Sequence, residues 1–575
     1  MHKGFYVLKY RGTFPKNTTD AKKKKRRQRT QTMSQSWEEI ADAKRRSVLE
    51  SIPQKWIDAD LKSKMIQAGY TSTKAYLDSI LPQEEVAITS LSVGQLQQQI
   101  SSGKLSALAV TSAFCHRAAY AHQIVNCCSE IFFDEAIARA KKLDDIYAST
   151  GKTVGPLHGV PISLKDQVDL AGKDSAIGFI GRLNKPKDTT SLLAQELFSK
   201  GAVFYVKTTV PMAMMAPETM SNIYGYTYNS LNINLSSGGS SGGEGAMIAA
   251  DASPLGFGTD IGGSIRIPSS HQGLYALKPS TGRISYLNVT NSASGQEAFP
   301  SVIGPMGKSL EDISFITKLI VDAQHWVQDP KVLAVPWKDT SELKERKLTF
   351  GLWKYDNKVK PHPYIDRALE SVSKALKEQG HEVIEVQIPN HDSIMLTASQ
   401  VYGADEGYEI ITECKVSGEP VVEVVADCVP NNSQNPITVN KWWDLCNKVY
   451  EEKQQFLSFW SGTSKKTKSG SPIDGIICPV WPSASVLPIS PPTLNYTCPF
   501  NLCDCASVVF PVTKVDKDID KPDSSYKPTS ELDRSVQEAY KPELFDGMPV
   551  CLQVVTKKLE EEKALTLASV INGCL

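Results

Sequence analysis

The chain has 575 residues, 41% of them hydrophobic and 22% charged, and its 63 basic and 63 acidic side chains cancel to a formal net charge of +0. This composition has the length for a large core and reads as a folded protein, and the balanced charge offers no overall field to draw nucleic acid or anionic lipid. Neither nucleic-acid binding nor membrane insertion is expected, because no run of about 18 apolar residues is present to span a bilayer.

Residues 1–32 carry AKKKKRRQR at 21–29 and little apolar periodicity, so a disordered basic extension is expected. A solvated tail is preferred there to a nuclear address or a polyanion contact. Met33 opens MSQSWEEIADAKRRSVLESIP, in which Ser36 and Glu39 form a capping box before a helical pattern, so Met33 is a candidate start and residues 1–32 a candidate for absence from the mature protein. The N-terminus lacks the apolar core of a secretory signal, and a cytoplasmic location is expected.

Residues 33–80 read as a helical segment packing on a core formed by 81–575. Helical patterns cover about 36–51, 106–124 and 134–147, and β-rich pieces follow at VPISL near 160 and AVFYV near 202. LTFGLW at 348, a helix through RALESVSKALKEQG and HEVIEVQI at 381 make a strand, helix, strand unit. IDGIICPV, ASVVFPV and MPVCLQVV add strands before a final helix at about 559–572, and 462–472 and 515–545 read as polar loops. The expected class is α/β, with a large mixed, twisted sheet flanked by helices on both faces.

Twelve cysteines in a chain of this length do not make a disulfide scaffold and read as reduced, mostly buried small side chains. Cys127 and Cys128 are adjacent and Cys503 and Cys505 form a CxC, but no second pair stands at zinc spacing and no HExxH occurs, so no metal is expected.

The chemistry concentrates in GGSSGGEGAMIAADASPLGFGTDIGGSIRIP, residues 238–268. Glycines free the backbone and let a ligand approach it, so SSGGSSGGEGA reads as a tight loop feeding a helix. Phosphate binding is disfavoured, since GxxxxGK[ST] and GxGxxG spacings are both absent, and an α/β-hydrolase of the nucleophile-elbow type is not expected. The stretch holds no histidine, so a serine nucleophile here needs another base, and lysine serves where burial keeps it neutral. Lys165 ends the apolar run GPLHGVPISLK; on pattern alone, a strand-end lysine snorkelling to solvent stays open beside the base.

With these residues in place, the chain resembles the amidase signature family. Gly238, Gly239, Ser240, Ser241, Gly242, Gly243, Gly256, Gly258, Asp260, Gly262, Ser264, Arg266 and Pro268 match its long signature, and VGPLHGVPISLKDQ matches its lysine motif. QSWEEIADAKR, NLCDCASVVFPVT and SELDRSVQEAYKPELFDGMPVCLQVV resemble fungal acetamidase-type amidases, and the likeness runs from Met33 to the C-terminus. The resemblance implies a single amidase signature domain over 81–575, with Ser264 as nucleophile, Ser240 as relay and Lys165 as terminal base. It implies an oxyanion site at the backbone amides of Ile261, Gly262, Gly263 and Ser264, worth roughly 3 to 4 kcal/mol per donor in other acyl-transfer sites, and a cis Gly239–Ser240 peptide. Substrate contacts are expected from Met214, Gly239, Ser240 and Ile261, with Met215 a lesser candidate. Ser241, Asp260 and Arg266 are expected to support the loop, a plain surface pair being the alternative for the last two.

The function that this resemblance implies is that of a cofactor-free amidase, turning a small carboxamide into carboxylate and ammonia through an acyl-enzyme. Short aliphatic or aryl primary amides such as acetamide are favoured. The alternatives are a glutaminase-type component of an amidotransferase and a hydrolase of longer fatty amides; a catalytically silent binding protein has only the basic run for support. A homodimer is carried by analogy alone.

Overall fold

The structure, a computed structural model, describes residues 35–429 and 436–575. The expected extension at 1–32, with its basic run, lies outside the described residues. The capping box is formed: Ser36 Oγ accepts from the Glu39 amide while the Glu39 carboxylate accepts from the Ser36 amide, opening the helix Trp37–Glu50. Helices Leu61–Gln67 and Thr73–Ile80 follow, and Leu61, Met65 and Leu77 sink into the core. The helices Ala107–Val125 and Phe133–Thr150 lie within three residues of the patterns read from the sequence.

Among the described residues, thirteen strands follow in chain order: β1 (Cys128–Ile131), β2 (Pro161–Lys165), β3 (Val203–Thr208), β4 (Met220–Ser221), β5 (Gly225–Tyr226), β6 (Leu255–Asp260), β7 (Tyr275–Lys278), β8 (Val302–Gly307), β9 (Thr349–Leu352), β10 (Glu382–Glu385), β11 (Gly475–Pro479), β12 (Ala506–Lys514) and β13 (Pro549–Thr556). β4 and β5 pair with each other, and the other eleven form one sheet in the order β1-β3-β2-β6-β8-β7-β12-β13-β11-β9-β10. Parallel pairing joins β3, β2 and β6 on one side and β11, β9 and β10 on the other. Antiparallel neighbours fill the middle, so the sheet is mixed, as expected for the α/β class. The expected strand, helix, strand unit is β9, the helix Pro363–Glu378 and β10.

Several elements were not foreseen, the helices Leu310–Asp322 and Glu531–Glu538 among them, and two have a clear physical reason. LGFGTD of β6 carries two glycines, which weaken a strand pattern, yet both are required by what lies on them. A Cβ at Gly256 would overlap the Glu244 carboxylate, and one at Gly258 would stand 2.7 Å from Ser241 Oγ. The helix Gly242–Ala249 therefore packs straight onto β6. The other is the 24-residue helix Val439–Gly462, whose core face is Leu445, Val449, Phe456 and Trp460; exposed Trp443 and Tyr450 blur the apolar period that would have revealed it.

The parallel register Leu164 to Phe257 carries the ends of β2 and β6 to the same edge of the sheet, bringing Lys165 beside Thr259 and Asp260. Carboxyl ends of neighbouring parallel strands are where α/β sheets bind ligands. Phe114, fully buried in the helix Ala107–Val125, should lose about 3–5 kcal/mol of stability on replacement by Ala. Trp443→Ala, at 62% exposure, should change it by no more than about 0.5 kcal/mol, and urea denaturation of the two variants checks the contrast.

Candidate functional site

Lys165 is 0% exposed, so the snorkelling alternative does not hold. Its Nζ donates to Ser240 Oγ at 2.8 Å and to Thr259 Oγ1 at 2.7 Å. Burial pulls its pKa down to about 7, against the opposing carboxylates of Asp260, Glu244 and Asp166. A lysine so placed exchanges its proton near neutrality.

The second partner of Lys165 belongs to a chain of fixed polarity. Gln167 Nε2 donates to the Thr290 carbonyl at 2.9 Å and to Tyr286 Oη at 2.8 Å, and a carbonyl only accepts. The Gln167 amide is thereby oriented with Oε1 toward Thr259, whose hydroxyl donates to it at 2.6 Å. Thr259 Oγ1 is left to accept from Lys165, so one N–H of the lysine always points there. Neither Thr259 nor Gln167 was singled out from sequence, although Gln167 stands two residues past Lys165 in the same motif.

Glu244 lies behind the lysine, fully buried, with its carboxylate accepting from Thr208 Oγ1 at 2.6 Å and from Ser163 Oγ. Burial pushes its pKa up to about 7, the two hydroxyl donors opposing. It too was missed, because a glutamate in a glycine-rich helix start gives no pattern of its own.

Ser240 is 1% exposed and follows a cis Gly239–Ser240 peptide. Gly239 has no room for a side chain: a Cβ would meet the backbone of Glu218 at 2.6 Å. Ser241 Oγ accepts from the Thr259 amide at 3.3 Å and its own amide donates to the Ser264 carbonyl at 3.2 Å, so this residue ties the Ser240 loop to β6 and to Ser264. Ser264 is partly exposed, and among the described residues no hydrogen bond joins its Oγ to Ser240 Oγ. Such bonds are often loose without substrate and tighten in the reacting complex.

The turn carrying Ser264 is built on a buried ion pair. Asp260 and Arg266 are both 0% exposed, with Nε to Oδ2 at 3.0 Å, which excludes the surface-pair alternative. Asp260 also accepts from the amides of Gly263 at 2.8 Å and Ile265 at 3.2 Å and from Asn501 Nδ2 at 2.7 Å, while Arg266 reaches Asn501 Oδ1 at 2.6 Å and Gln553 Oε1 at 3.2 Å. Burial alone would raise the pKa of Asp260, but the Arg266 guanidinium, Lys278 and Asn501 outweigh it and hold the carboxyl well below its usual range.

One expectation changes here: the Gly263 amide is already engaged by Asp260, so of the expected oxyanion donors Ile261, Gly262 and Ser264 remain as candidates. Gly263 has a φ of 137°, and a Cβ there would stand 2.6 Å from Thr497 Oγ1. Tyr402 Oη donates to the Ile261 carbonyl at 2.7 Å and Thr497 Oγ1 to the Gly262 carbonyl at 2.6 Å. In a planar trans peptide the C=O and the next N–H point oppositely, so Tyr402 sets the direction of the Gly262 amide. Nothing near Tyr402 in the sequence signals this.

Ser240, Ile261 and Ser264 share a cavity of about 30 Å3 with Met214, Met215 and Tyr402, closed on another side by Asn291 and Gln296. Gly239 is not among the residues lining it. Ala213 and Met214 have φ of 57° and 59°, a tight turn that presents Met214 to the cavity; the Ala213 carbonyl is held by Ser292 Oγ at 2.6 Å.

Asp260→Asn should cost about 3–5 kcal/mol, because it leaves the Arg266 charge buried without its counterion. A carboxyl whose pKa is lowered by folding adds stability above its unfolded value of about 3.9 and loses it as the pH falls below. The gap between wild type and Asp260→Asn in urea denaturation should therefore be constant from about pH 5 to 8 and shrink below about pH 4.

The chain is similar to known proteins in both sequence and fold. A family model described as Amidase matches residues 109–565. The chain is 39% identical over 549 residues to the acetamidase of Emericella nidulans, covering 94% of this chain and 99% of that one. It is 36% identical over 554 residues to a probable amidase of Saccharomyces cerevisiae, with 94% and 99% covered. Among solved structures, a fatty acid amide hydrolase superposes with a TM-score of 0.86 at 32% identity, covering 93% of this chain and 94% of that one. The match in sequence and in fold extends through the strands and loops that carry the site, and the chain belongs to the amidase signature family of hydrolases acting on amides.

Proposed function

We propose that the protein hydrolyses short, neutral primary carboxamides of the acetamide type to carboxylate and ammonia, through an acyl-enzyme on Ser264 with Ser240 and Lys165 as relay and base. The observation that carries this reading is Lys165, fully buried, its pKa lowered to about 7 and bonded to Ser240 Oγ at 2.8 Å. In its neutral form the lysine can keep one N–H on Thr259 while its lone pair turns to Ser240. Ser264 Oγ attacks the carbonyl carbon, its proton passes to Ser240, and the Ser240 proton passes to Lys165 Nζ. The proton returns by the same path to the departing nitrogen, which leaves as ammonia, and water then releases the acid from Ser264 by the reverse sequence. The amides of Ile261, Gly262 and Ser264 are the donors for the oxyanion. Thr259 and Gln167 are positioning residues that hold Lys165 in the productive orientation.

A short substrate is favoured by the cavity of about 30 Å3, an order of magnitude below the roughly 300–1,000 Å3 of pockets for drug-sized ligands. Its apolar side, Met214 and Met215, suits a methyl or similar acyl group. The acetamidase relatives point the same way. No helix among the described residues is long and apolar enough to cross a membrane.

Ammonia release from primary amides of increasing acyl length should peak at the shortest members and fall on the order of 10^6-fold in a Ser264→Ala variant that keeps its fold by circular dichroism. A maximum at long chains in the same panel would instead favour a fatty amide hydrolase, and no release from any member would overturn the reading.

Since the neutral lysine is the active form, kcat/KM should rise with pH through about 7. Thr259→Val takes an acceptor from the ammonium, which disfavours the charged form and moves this acid limb to lower pH. It should also lower kcat with little change in KM, and pH–rate profiles of the two proteins separate this from general destabilisation, which would leave the limb in place.

A further inference from the structure

A second cluster of reactive side chains lies away from the catalytic cavity. His122 sits in the last turn of the helix Ala107–Val125, and Asn126, in left-handed conformation at φ 59°, folds the chain back so that Cys127 and Cys128 lie against it. One ligand atom from each of His122, Cys127 and Cys128 lies within 4.8 Å of the others, and among the described residues no other three His, Cys, Asp or Glu side chains come together in this way. Both cysteines are free thiols with 0% exposure. The Cys128 amide donates to His122 Nδ1 at 3.1 Å, so this nitrogen carries no proton and turns its lone pair toward the cysteine segment. His122 is 7% exposed and forms part of the wall of an open groove of about 370 Å3 between Arg45, Lys62, Tyr224 and Tyr226, which gives an entry side.

We propose that His122, Cys127 and Cys128 form a binding site for a thiophilic divalent cation whose occupancy bears on the catalytic loop. Two thiolates and an imidazole select soft and borderline ions over calcium or magnesium. Two sulfurs on one tetrahedral zinc stand about 3.8 Å apart for bonds of about 2.3 Å, so the donors close on an ion with a shift of about 1 Å or less, and a larger ion such as Cd2+ needs less. The cation takes the Nδ1 lone pair in place of the Cys128 amide. Charge balances: two thiols and M2+ give an M(SR)2 unit and two released protons, which leaves no net charge in this buried place. Adjacent cysteines five residues after a histidine fit no zinc-motif spacing, which is why the sequence pointed to no metal.

The link to the loop is short. The Thr209 amide donates to the Cys127 carbonyl at 2.9 Å, and the Thr209 carbonyl accepts from Gly243 at 3.2 Å, three residues after Ser240. Cys128 faces Thr208 in the pairing of β1 with β3, and Thr208 Oγ1 donates to Glu244 at 2.6 Å. A cation that draws Cys127 and Cys128 toward His122 pulls on the strand end against which Gly243 and Glu244 are seated.

The test is titration of the reduced full-length protein with Cd2+ alone, reading the ultraviolet charge-transfer absorbance of cadmium thiolate and the protons released, with amide hydrolysis followed in parallel. The expected result is one tight equivalent per chain, release of the thiol protons still bound at the pH used, and hydrolysis falling about tenfold in step with the absorbance. A Cys127→Ala, Cys128→Ala double variant should lose this equivalent, and a Cys503→Ala, Cys505→Ala control should keep it. His122→Asn, whose side-chain oxygen still accepts from the Cys128 amide, should fold normally and bind Cd2+ at least about tenfold more weakly. No charge-transfer band, or one that survives loss of Cys127 and Cys128, overturns the site; a full band with undiminished hydrolysis overturns the link to the loop. The absorbance and proton readouts do not depend on the proposed amide substrate, so failure of that reading is distinguishable from failure of this one.

Discussion

The arrangement depends on a lysine kept out of water. Removing an ammonium from solvent is costly unless it is paired or gives up its proton, and Lys165 meets two hydroxyls, Ser240 and Thr259, where a salt bridge would have fixed its charge. Carboxylates are near enough to temper the effect of burial without cancelling it. Asp260, the foremost of them, is occupied by Arg266, Asn501 and backbone amides. Had Asp260 faced Lys165 directly, the lysine would be a permanent cation.

The same ion pair that absorbs the charge of Asp260 builds the turn on which Ser264 stands. Its partners come from far along the chain, Asn501 and Gln553 among them, so the turn is braced by β13 and by the segment leading into β12. Tyr402 and Thr497 add two further braces on the carbonyls of Ile261 and Gly262. The donors proposed for the oxyanion are thus held by groups remote in sequence, as preorganised electrostatics requires.

Local chemistry was legible in the sequence, and long-range bracing was not. The capping box at Ser36, the unit from 348 to 388 and the apolar strands near 160 and 202 follow from side-chain pattern, β-rich composition and turn residues, which act over a few positions. The strand at 255–260 was hidden because its glycines answer to Glu244 and Ser241, which press on it from the neighbouring helix and its first turn. The helix at 439–462 was hidden by exposed aromatics on its outer face. Lys165, Ser240 and Ser264 were reached through a signature, whereas Thr259, Gln167, Glu244 and Tyr402 emerge only once β2, β6 and the helix His391–Tyr402 are brought together in space. The diversion of the Gly263 amide to Asp260 likewise needs the folded turn.

The walls of the cavity have a different origin from its chemistry. The proposed base and its hydroxyl partners stand on β2, β6 and the glycine loop, deep in the sheet, whereas Met214, Met215, Asn291, Gln296 and Tyr402 come from irregular segments and a helix end laid over its edge. Packing in the sheet leaves the first set little freedom to vary, and loops tolerate change that strands do not. A lineage can therefore reshape the cavity by altering the covering segments while Lys165, Ser240 and Thr259 stay in place, which lets one scaffold diversify in what it accepts without rebuilding the chemistry proposed for it.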